Sequence, residues 1–255
     1  MYLENMRWKR AGECLESSPL VLIPLGSVEQ HGPIGPLGTD FLIPDAFARR
    51  IEERMPDDVL VLPTVQYGVC PYHMGFPGTI DIGTDALTLV LRRIAEAMMR
   101  CGARKFFFLN GHGGNGPALD AAALSIYREG GLAAVADWWS IAGQLNPDWV
   151  GGHGMGQEAS MMMSIRPGTV DLGTIFRGRV NHLGDSLRNT HLTQVRFGKG
   201  TFRIIRDVCD VETSGAFGGP DDPAKASKEW GDEMFATMTE YFCDFLREFQ
   251  SVPLK

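Results

Sequence analysis

The sequence predicts an α/β fold built on a mainly parallel sheet with helices on both faces. Three observations carry that expectation. Four apolar runs of strand length recur along the first 140 residues. Amphipathic stretches of helical period lie between them, and glycine- or proline-rich breaks separate the two kinds of segment. Leu20 to Leu25 is the first strand, apolar throughout as a parallel strand covered on both faces must be. Phe41 to Met55 is a helix, with Phe41, Ile43, Phe47, Ala48 and Ile51 as its apolar stripe. Met55-Pro56-Asp57-Asp58 stops it, and Val59 to Pro63 is the second strand.

Residues 64–83 show little periodicity, and their aromatics and glycines suit a pocket wall or lid. Thr84 is expected as the N-cap of a helix carried by Leu87, Val90, Leu91, Ile94, Ala95 and Met98, ending at Cys101-Gly102. Lys105 to Leu109 is the third strand, Ala118 to Tyr127 a helix opened by Pro117, and Leu132 to Ala136 the fourth strand. After Asp137-Trp138-Trp139 the pattern loosens until a Met-rich helix, Ala159 to Ile165, whose Met161, Met162 and Met163 read as core filler. Residues 168–210 offer at most short strands such as Phe202 to Ile205, and Ser214 to Pro220 reads as a flexible turn. Asp222 is expected to cap the last helix, with Pro223 at its first position and Trp230, Met234, Met238, Phe242, Phe245 and Phe249 on its buried face. With no repeat or linker in view, residues 1–255 are expected to form one domain.

The totals exclude several classes. The chain has 24 Lys and Arg against 31 Asp and Glu, a net charge of −7, so no nucleic-acid partner is expected. No apolar run is long enough for a membrane span, and Met1 to Asn5 lack the start of a signal peptide. Five cysteines without a CxxC pair read as reduced thiols of a cytoplasmic protein.

Chemistry concentrates in three loops. Glu29 and His31 follow the first strand, with Asp40 nine residues after His31; His112 follows the third strand; His153 and Glu158 stand together later. Open parallel sheets place their sites just beyond strand C-termini. A set of oxygen and nitrogen ligands without thiolate suits zinc, manganese or iron, and the excess of carboxylates favours two ions sharing a bridging Asp. Two cations about 3.5 Å apart would lower the pKa of a water until hydroxide exists at neutral pH, leaving His153 free to handle protons. A rival reading rests on Gly111-His112-Gly113-Gly114-Asn115-Gly116, a literal GxGxxG between a strand and a helix with Asp137 beyond it. It points to an NAD-binding oxidoreductase but leaves Glu29, His31, Asp40, His153 and Glu158 without a role. His73 suits either the pocket or a structural role, and Cys70, with no adjacent base, makes a poor nucleophile. Trp138 and Trp139 suit a pocket wall or the core, and His182 and His191 suit the surface or a subunit contact.

The run Leu25 to Pro33 with Gly38-Thr39-Asp40, then Phe76-Pro77-Gly78-Thr79, Asn110 to Asn115, and His153 with Glu158 and Ser160 resembles the successive motifs of the creatininase (creatinine amidohydrolase) family. Gly219-Pro220 and Ala226 to Gly231 resemble its C-terminal signature. The resemblance implies a three-layer α/β/α sandwich, two divalent ions per chain, a homo-oligomer, commonly a hexamer, and a small-molecule substrate. It implies that Glu29 and His112 bind one ion, His31 the other, and that Asp40 bridges them. The family's namesake carries a metal-binding Glu where this chain has Gly114, so Glu158 is expected to replace it. Its substrate-contacting Trp-Asp is replaced here by Val150-Gly151. The implied activity is a metal-dependent hydrolase in which hydroxide attacks the carbonyl of a small cyclic amide, with His153 or Glu158 moving the proton. Relatives of the fold that open formamides or inositol-derived cyclic diketones define the alternatives.

Overall fold

The computed structural model describes every residue from Met1 to Leu254 except Ser18 and Arg177. In chain order the elements are α1 (Trp8–Glu16), β1 (Leu20–Leu25), α2 (Thr39–Arg54), β2 (Val59–Val61), α3 (Thr84–Arg100), β3 (Lys105–Asn110), α4 (Gly116–Arg128) and β4 (Leu132–Asp137). They continue with α5 (Trp138–Leu145), α6 (Gly156–Ile165), β5 (Arg188–His191), β6 (Gln194–Phe197), β7 (Gly200–Arg203), α7 (Val208–Val211) and α8 (Lys228–Ser251). The first four strands form one parallel sheet in the order β2-β1-β3-β4.

Because side chains alternate across a strand, each face of this sheet collects its own core. Leu20 and Leu22 of β1 and Phe107 and Leu109 of β3 pack with α2, α6 and α8. Val21, Ile23, Phe106 and Phe108 point the other way, onto α1, α3 and α4. The result is the three-layer α/β/α sandwich. The helix after β1 covers one face and the helix after β3 the other, so the chain diverges between two adjacent parallel strands. Such a topological switch point opens a crevice at the strands' C-terminal ends. Among the described residues no helix is long and apolar enough to cross a membrane.

Several boundaries differ from the sequence reading. Helix α2 starts at Thr39, which puts Asp40 in its first turn. Thr84 is the first residue of α3 and Gly83 precedes it as the cap, at a φ of 75° that favours glycine. Asp222 caps only a 3-10 turn, accepting from the Ala224 amide, while Ser227 accepts from the Trp230 amide and starts α8. Phe245 remains 39% exposed beside a stacked Phe249 and does not belong to the buried face of α8. Helices α1 and α5 were not legible, because neither offers a continued apolar stripe: α1 buries only Cys14 and Leu15.

The largest difference is at 188–203, where β5, β6 and β7 form a separate antiparallel sheet. The expected strand Phe202 to Ile205 is shifted to Gly200–Arg203. The 214–220 segment is no free turn: Phe217 pairs its backbone with His153, and Gly218 and Gly219 pack against Gly152.

Candidate metal centre at the switch point

Glycine prepares the crevice. A Cβ on Gly26, just past β1, would lie 2.3 Å from the Asp40 carbonyl oxygen, and one on Gly111, just past β3, would lie 1.8 Å from it. Both strands therefore end in residues without side chains so that the first turn of α2 can wedge between them. That wedge carries the Asp40 carboxylate into the crevice, where Glu29 and His31 arrive from β1 and His112 from β3. All four side chains are buried.

The Asp40 carboxylate faces two imidazoles. Its Oδ1 lies 2.9 Å from His31 Nε2 and its Oδ2 lies 3.2 Å from His112 Nδ1. Glu29 Oε2 is also 3.2 Å from His112 Nδ1, while Glu158 Oε2 is 3.7 Å from His31 Nε2. One carboxylate thus stands between a Glu29–His112 side and a His31–Glu158 side. Sequence placed all of these residues in three loops, and the structure brings them to one point.

The histidines are oriented by main-chain carbonyls. His31 Nδ1 is 3.0 Å from the Glu29 carbonyl, His112 Nε2 is 2.8 Å from the Val69 carbonyl, and His153 Nε2 is 2.8 Å from the Gln30 carbonyl. A carbonyl oxygen only accepts, so the facing nitrogens of His31 and His112 donate. The Gln30 side-chain amide, 2.9 Å from His153 Nε2, gives its two protons to His73 and the Gly215 carbonyl, which leaves that Nε2 to donate to the Gln30 carbonyl. The opposite nitrogen then presents its lone pair to the crevice, the orientation in which imidazole binds a cation.

Among the described residues, both Glu29 oxygens and Asp40 Oδ2 are buried without a hydrogen-bond partner. Buried carboxylate oxygens left without donors are costly, and a divalent cation would satisfy all three. Groups able to hold one lie together as Glu29-His31-Asp40, as His31-His153-Glu158, and as Glu29-His73-His153. The donor set fits the implied metal.

Without a cation, protons take its place. Burial raises the Glu29 pKa to about 8 and that of Glu158 to about 7. Burial alone would lower the two imidazoles that face Asp40, but neighbouring carboxylates outweigh it. Asp40 and Glu158 raise His31 to about 10, and Glu29 and Asp40 raise His112 to about 9. The same imidazoles overcome the burial of Asp40 and hold its carboxyl below the usual range. At His73 and His153 burial and the neighbouring imidazoles act together and outweigh the opposing Asp40 carboxylate. His73 is pushed down to about 3 and His153 well below its ordinary value, so both are neutral.

His73, which sequence left open, lies 3.4 Å from Glu29 Oε1 and accepts from the Gln30 amide. That amide also donates to the Gly215 carbonyl. Gln30 and Asp221 are the supports that sequence reasoning missed. Asp221 accepts from the Gly152 and Gln157 amides and so pins the loop bearing His153 to the first turn of α6, which bears Glu158. Nothing local in the sequence marks that role. His191 lines the cavity over the site, a correction to its placement at the surface, while the His182 ring accepts from the Asn189 amide. Trp138 is buried and Trp139 lines the cavity. Burial pushes the Cys70 thiol up to about 12, which suits packing and not attack.

The glycine run at 111–116 is packed from within. Gly114 leaves room for the Val69 carbonyl, 1.9 Å from where a Cβ would stand, and the Asp137 carboxylate accepts from the Asn110 amide. These contacts explain Gly111 and Gly114 without a dinucleotide, while Gly113 and Gly116 have room for a Cβ. They also explain the departure at Gly114: backbone occupies the place of a side chain.

The family model described as Creatininase: Creatinine amidohydrolase matches residues 4–246. The chain belongs to the creatininase family. Members of this family are hydrolases. Among its relatives is the mycofactocin precursor peptide peptidase of Mycolicibacterium smegmatis, 34% identical over 91% of this chain and 86% of that protein. The creatinine amidohydrolase of Pseudomonas putida is 28% identical over 69% of this chain and 75% of that protein. A solved structure described as creatininase Mn superposes with a TM-score of 0.76 at 23% identity, covering 97% of each chain, and shares the fold.

Proposed function

We propose that this chain is a metal-dependent amidohydrolase that opens an amide C–N bond in a peptide-type substrate. The observation that carries the reading is the shared Asp40 carboxylate, set between two carbonyl-oriented imidazoles beside three orphaned carboxylate oxygens. On this reading Glu29 and His112 would hold one divalent ion and His31 and Glu158 a second, with the Asp40 carboxylate, placed between the two sides, available to both. Zinc, manganese and iron all suit such ligands. When bound, the ions supply Lewis acidity that lowers the pKa of water and polarises an amide carbonyl.

The chain's own residues do the rest. His153 is neutral, its Nε2 is tied to the Gln30 carbonyl, and its Nδ1 points at Glu29 Oε1, 3.5 Å away. That Nδ1 is the atom placed to take a proton from the attacking water and return it to the leaving nitrogen. Glu158 is held by the Gly154 amide at 2.7 Å, and burial keeps its pKa near neutrality, so it can share the proton load. Water adds to the carbonyl carbon, the C–N bond breaks, and an acid and an amine leave.

Three points favour a peptide-type amide over creatinine. The relative matched over 91% of this chain acts on a precursor peptide, by its name. The residues that distinguish the family's namesake are replaced here by Gly114 and Val150-Gly151. A cavity of about 310 Å³ over the carboxylates gives room for more than a small ring. The homo-oligomer implied by the resemblance belongs to the same proposal. Strand β4 leaves an open sheet edge with Val135 exposed, a seam for a second copy.

The test is metal analysis of the purified protein with an amide panel. About two divalent ions per chain, lost in Glu29→Ala, together with release of acid and amine from peptides, supports the reading. Protein that retains no divalent ion and binds NAD instead overturns it.

A further inference from the structure

The antiparallel sheet that roofs the cavity carries an uncompensated line of positive charge. Arg188 of β5 stands directly opposite Arg196 of β6, and Arg203 of β7 stands opposite Gln194 of β6. Residues paired across strands share a face, and so do residues two apart along one strand. Arg188, Arg196 and Arg203 therefore occupy one face together, with Gln194 and Thr201. Asn189 and Val195, from the opposite face, are the buried positions of β5 and β6.

All three guanidinium groups are exposed. Among the described residues none of them makes an ion pair or a side-chain hydrogen bond, although Arg10, Arg49, Arg50, Arg54, Arg93 and Arg247 each pair with a carboxylate. Like charges placed directly opposite in a sheet destabilise it. Other arginines, among them Arg100 and Arg128, also lack an ion pair among the described residues; what sets these three apart is that they share one sheet face. Their line ends at the site: Arg203 lines the cavity, alongside Leu192 and Thr193 of the β5–β6 turn and across from the Glu29, Asp40 and Glu158 carboxylates.

We propose that the Arg188-Arg196-Arg203 face is a docking track for an acidic peptide, whose scissile amide it delivers to the metal centre. The proposal rests on the amidohydrolase reading and names its substrate class: an amide flanked by aspartate, glutamate or a free C-terminal carboxylate. The three guanidinium groups stand on three adjacent strands, at cross-strand and diagonal spacings of about 5–8 Å. That is close to the roughly 7 Å between alternate side chains of an extended peptide, and each pair with a carboxylate can be bidentate.

The experiment uses the full-length, metal-loaded protein. Fluorescent ten-residue peptides share one central sequence and differ in their flanks, acidic or the corresponding Asn and Gln, each with a free or an amidated C-terminus. Binding is read by anisotropy and cleavage by mass spectrometry. The acidic-flank peptides are expected to bind about tenfold tighter at low salt, with the advantage shrinking as salt rises. Arg196→Glu and Arg203→Glu should abolish the advantage, and Arg203→Lys should keep part of it. The free-against-amidated pair separates a terminal carboxylate from acidic side chains as its source. Exposed charges are replaced, so folding, checked by melting temperature, is expected to persist.

Equal binding of acidic and neutral peptides overturns the track, as does a preference that survives both Glu substitutions. Equal binding of a ten-nucleotide oligothymidylate overturns it in favour of a general anion surface. A change only in oligomeric state assigns the face to a second copy of the chain and also overturns it. Arg-dependent binding without cleavage sustains the track while sinking the amidohydrolase reading. Cleavage without charge preference does the reverse.

Discussion

The two walls of the crevice are built by opposite means. The lower wall comes from the ends of β1 and β3 and the first turn of α2, and its Glu29, His31, Asp40 and His112 are buried. Their orientation is dictated by main-chain carbonyls and by the wedge that Gly26 and Gly111 admit. The upper wall comes from residues 151–158 and from the β5–β7 sheet. It is partly exposed; the Gln30 carbonyl and the Phe217 backbone fix His153, but the rest leans on single distant side chains, Gln30 on His73 and Asp221 on the loop amides. Backbone-built geometry tolerates little change and suits reaction chemistry. Side-chain-built geometry can vary without disturbing the sheet and suits substrate choice.

The largest test of this contrast is on the lower wall. Asp40→Ala should remove the shared carboxylate, empty the site of metal by elemental analysis, and lower kcat/KM by at least about a hundredfold. Retention of a full metal complement would break the assignment. Glu158→Gln, on the upper wall, should weaken metal binding about 10- to 100-fold while the Glu29–His112 side keeps its ion, read by competition with a chelator. If both ions leave together, the two walls are one coupled unit and the contrast fails.

Gly114→Glu sharpens the comparison further. It writes the namesake's residue into the lower wall, but its Cβ would meet the Val69 carbonyl 1.9 Å away. The expected result is a loss of about 1–3 kcal/mol in stability with no gain in metal affinity, measured by thermal melting and metal titration. Tighter metal binding in this variant would show that the backbone at 69 yields easily.

The smallest effect is in pH. Without metal, the folded protein holds protons on His31 up to about pH 10, on His112 up to about 9 and on Glu29 up to about 8, whereas the ordinary values are 6.5, 6.5 and 4.5. Between pH 7 and 10 the folded state therefore binds more protons than the unfolded chain, and stability must fall as pH rises. His73, His153 and Asp40 have lowered values and titrate below this window, so they act with the opposite sign only in acid. Metal displaces the same protons, so its affinity should rise over the same range. The melting temperature of metal-free protein should drop from pH 7 to 10, and that of the metal-loaded protein should drop less. Equal slopes would place the protons elsewhere.

What was legible in the sequence follows the same division. Leu20–Leu25 and Lys105–Asn110 announced themselves because strands buried on both faces must be apolar almost throughout. Glu29, His31 and His112 stood shortly after those strands, so their neighbourhood could be inferred from order alone; Asp40 reaches them from the first turn of α2. The β5–β7 sheet could not be read, since only Asn189 and Val195 of its strand residues are buried. Short polar strands leave no hydrophobic alternation to detect. The His153–Glu158 loop was recognised by its residues, but its anchor, Asp221, lies more than 60 positions away.

The sequence by itself determined the parallel sheet, the helices that cover it, and the set of carboxylates and imidazoles available for chemistry. Local pattern suffices there, because burial and period are written into each segment separately. Only the tertiary structure decided that Asp40 stands between His31 and His112, that Val69's carbonyl fills the place beside Gly114, and that three arginines line one face above the cavity. Those facts depend on where segments far apart in the chain come to rest, and contact between distant segments leaves no mark on either one alone.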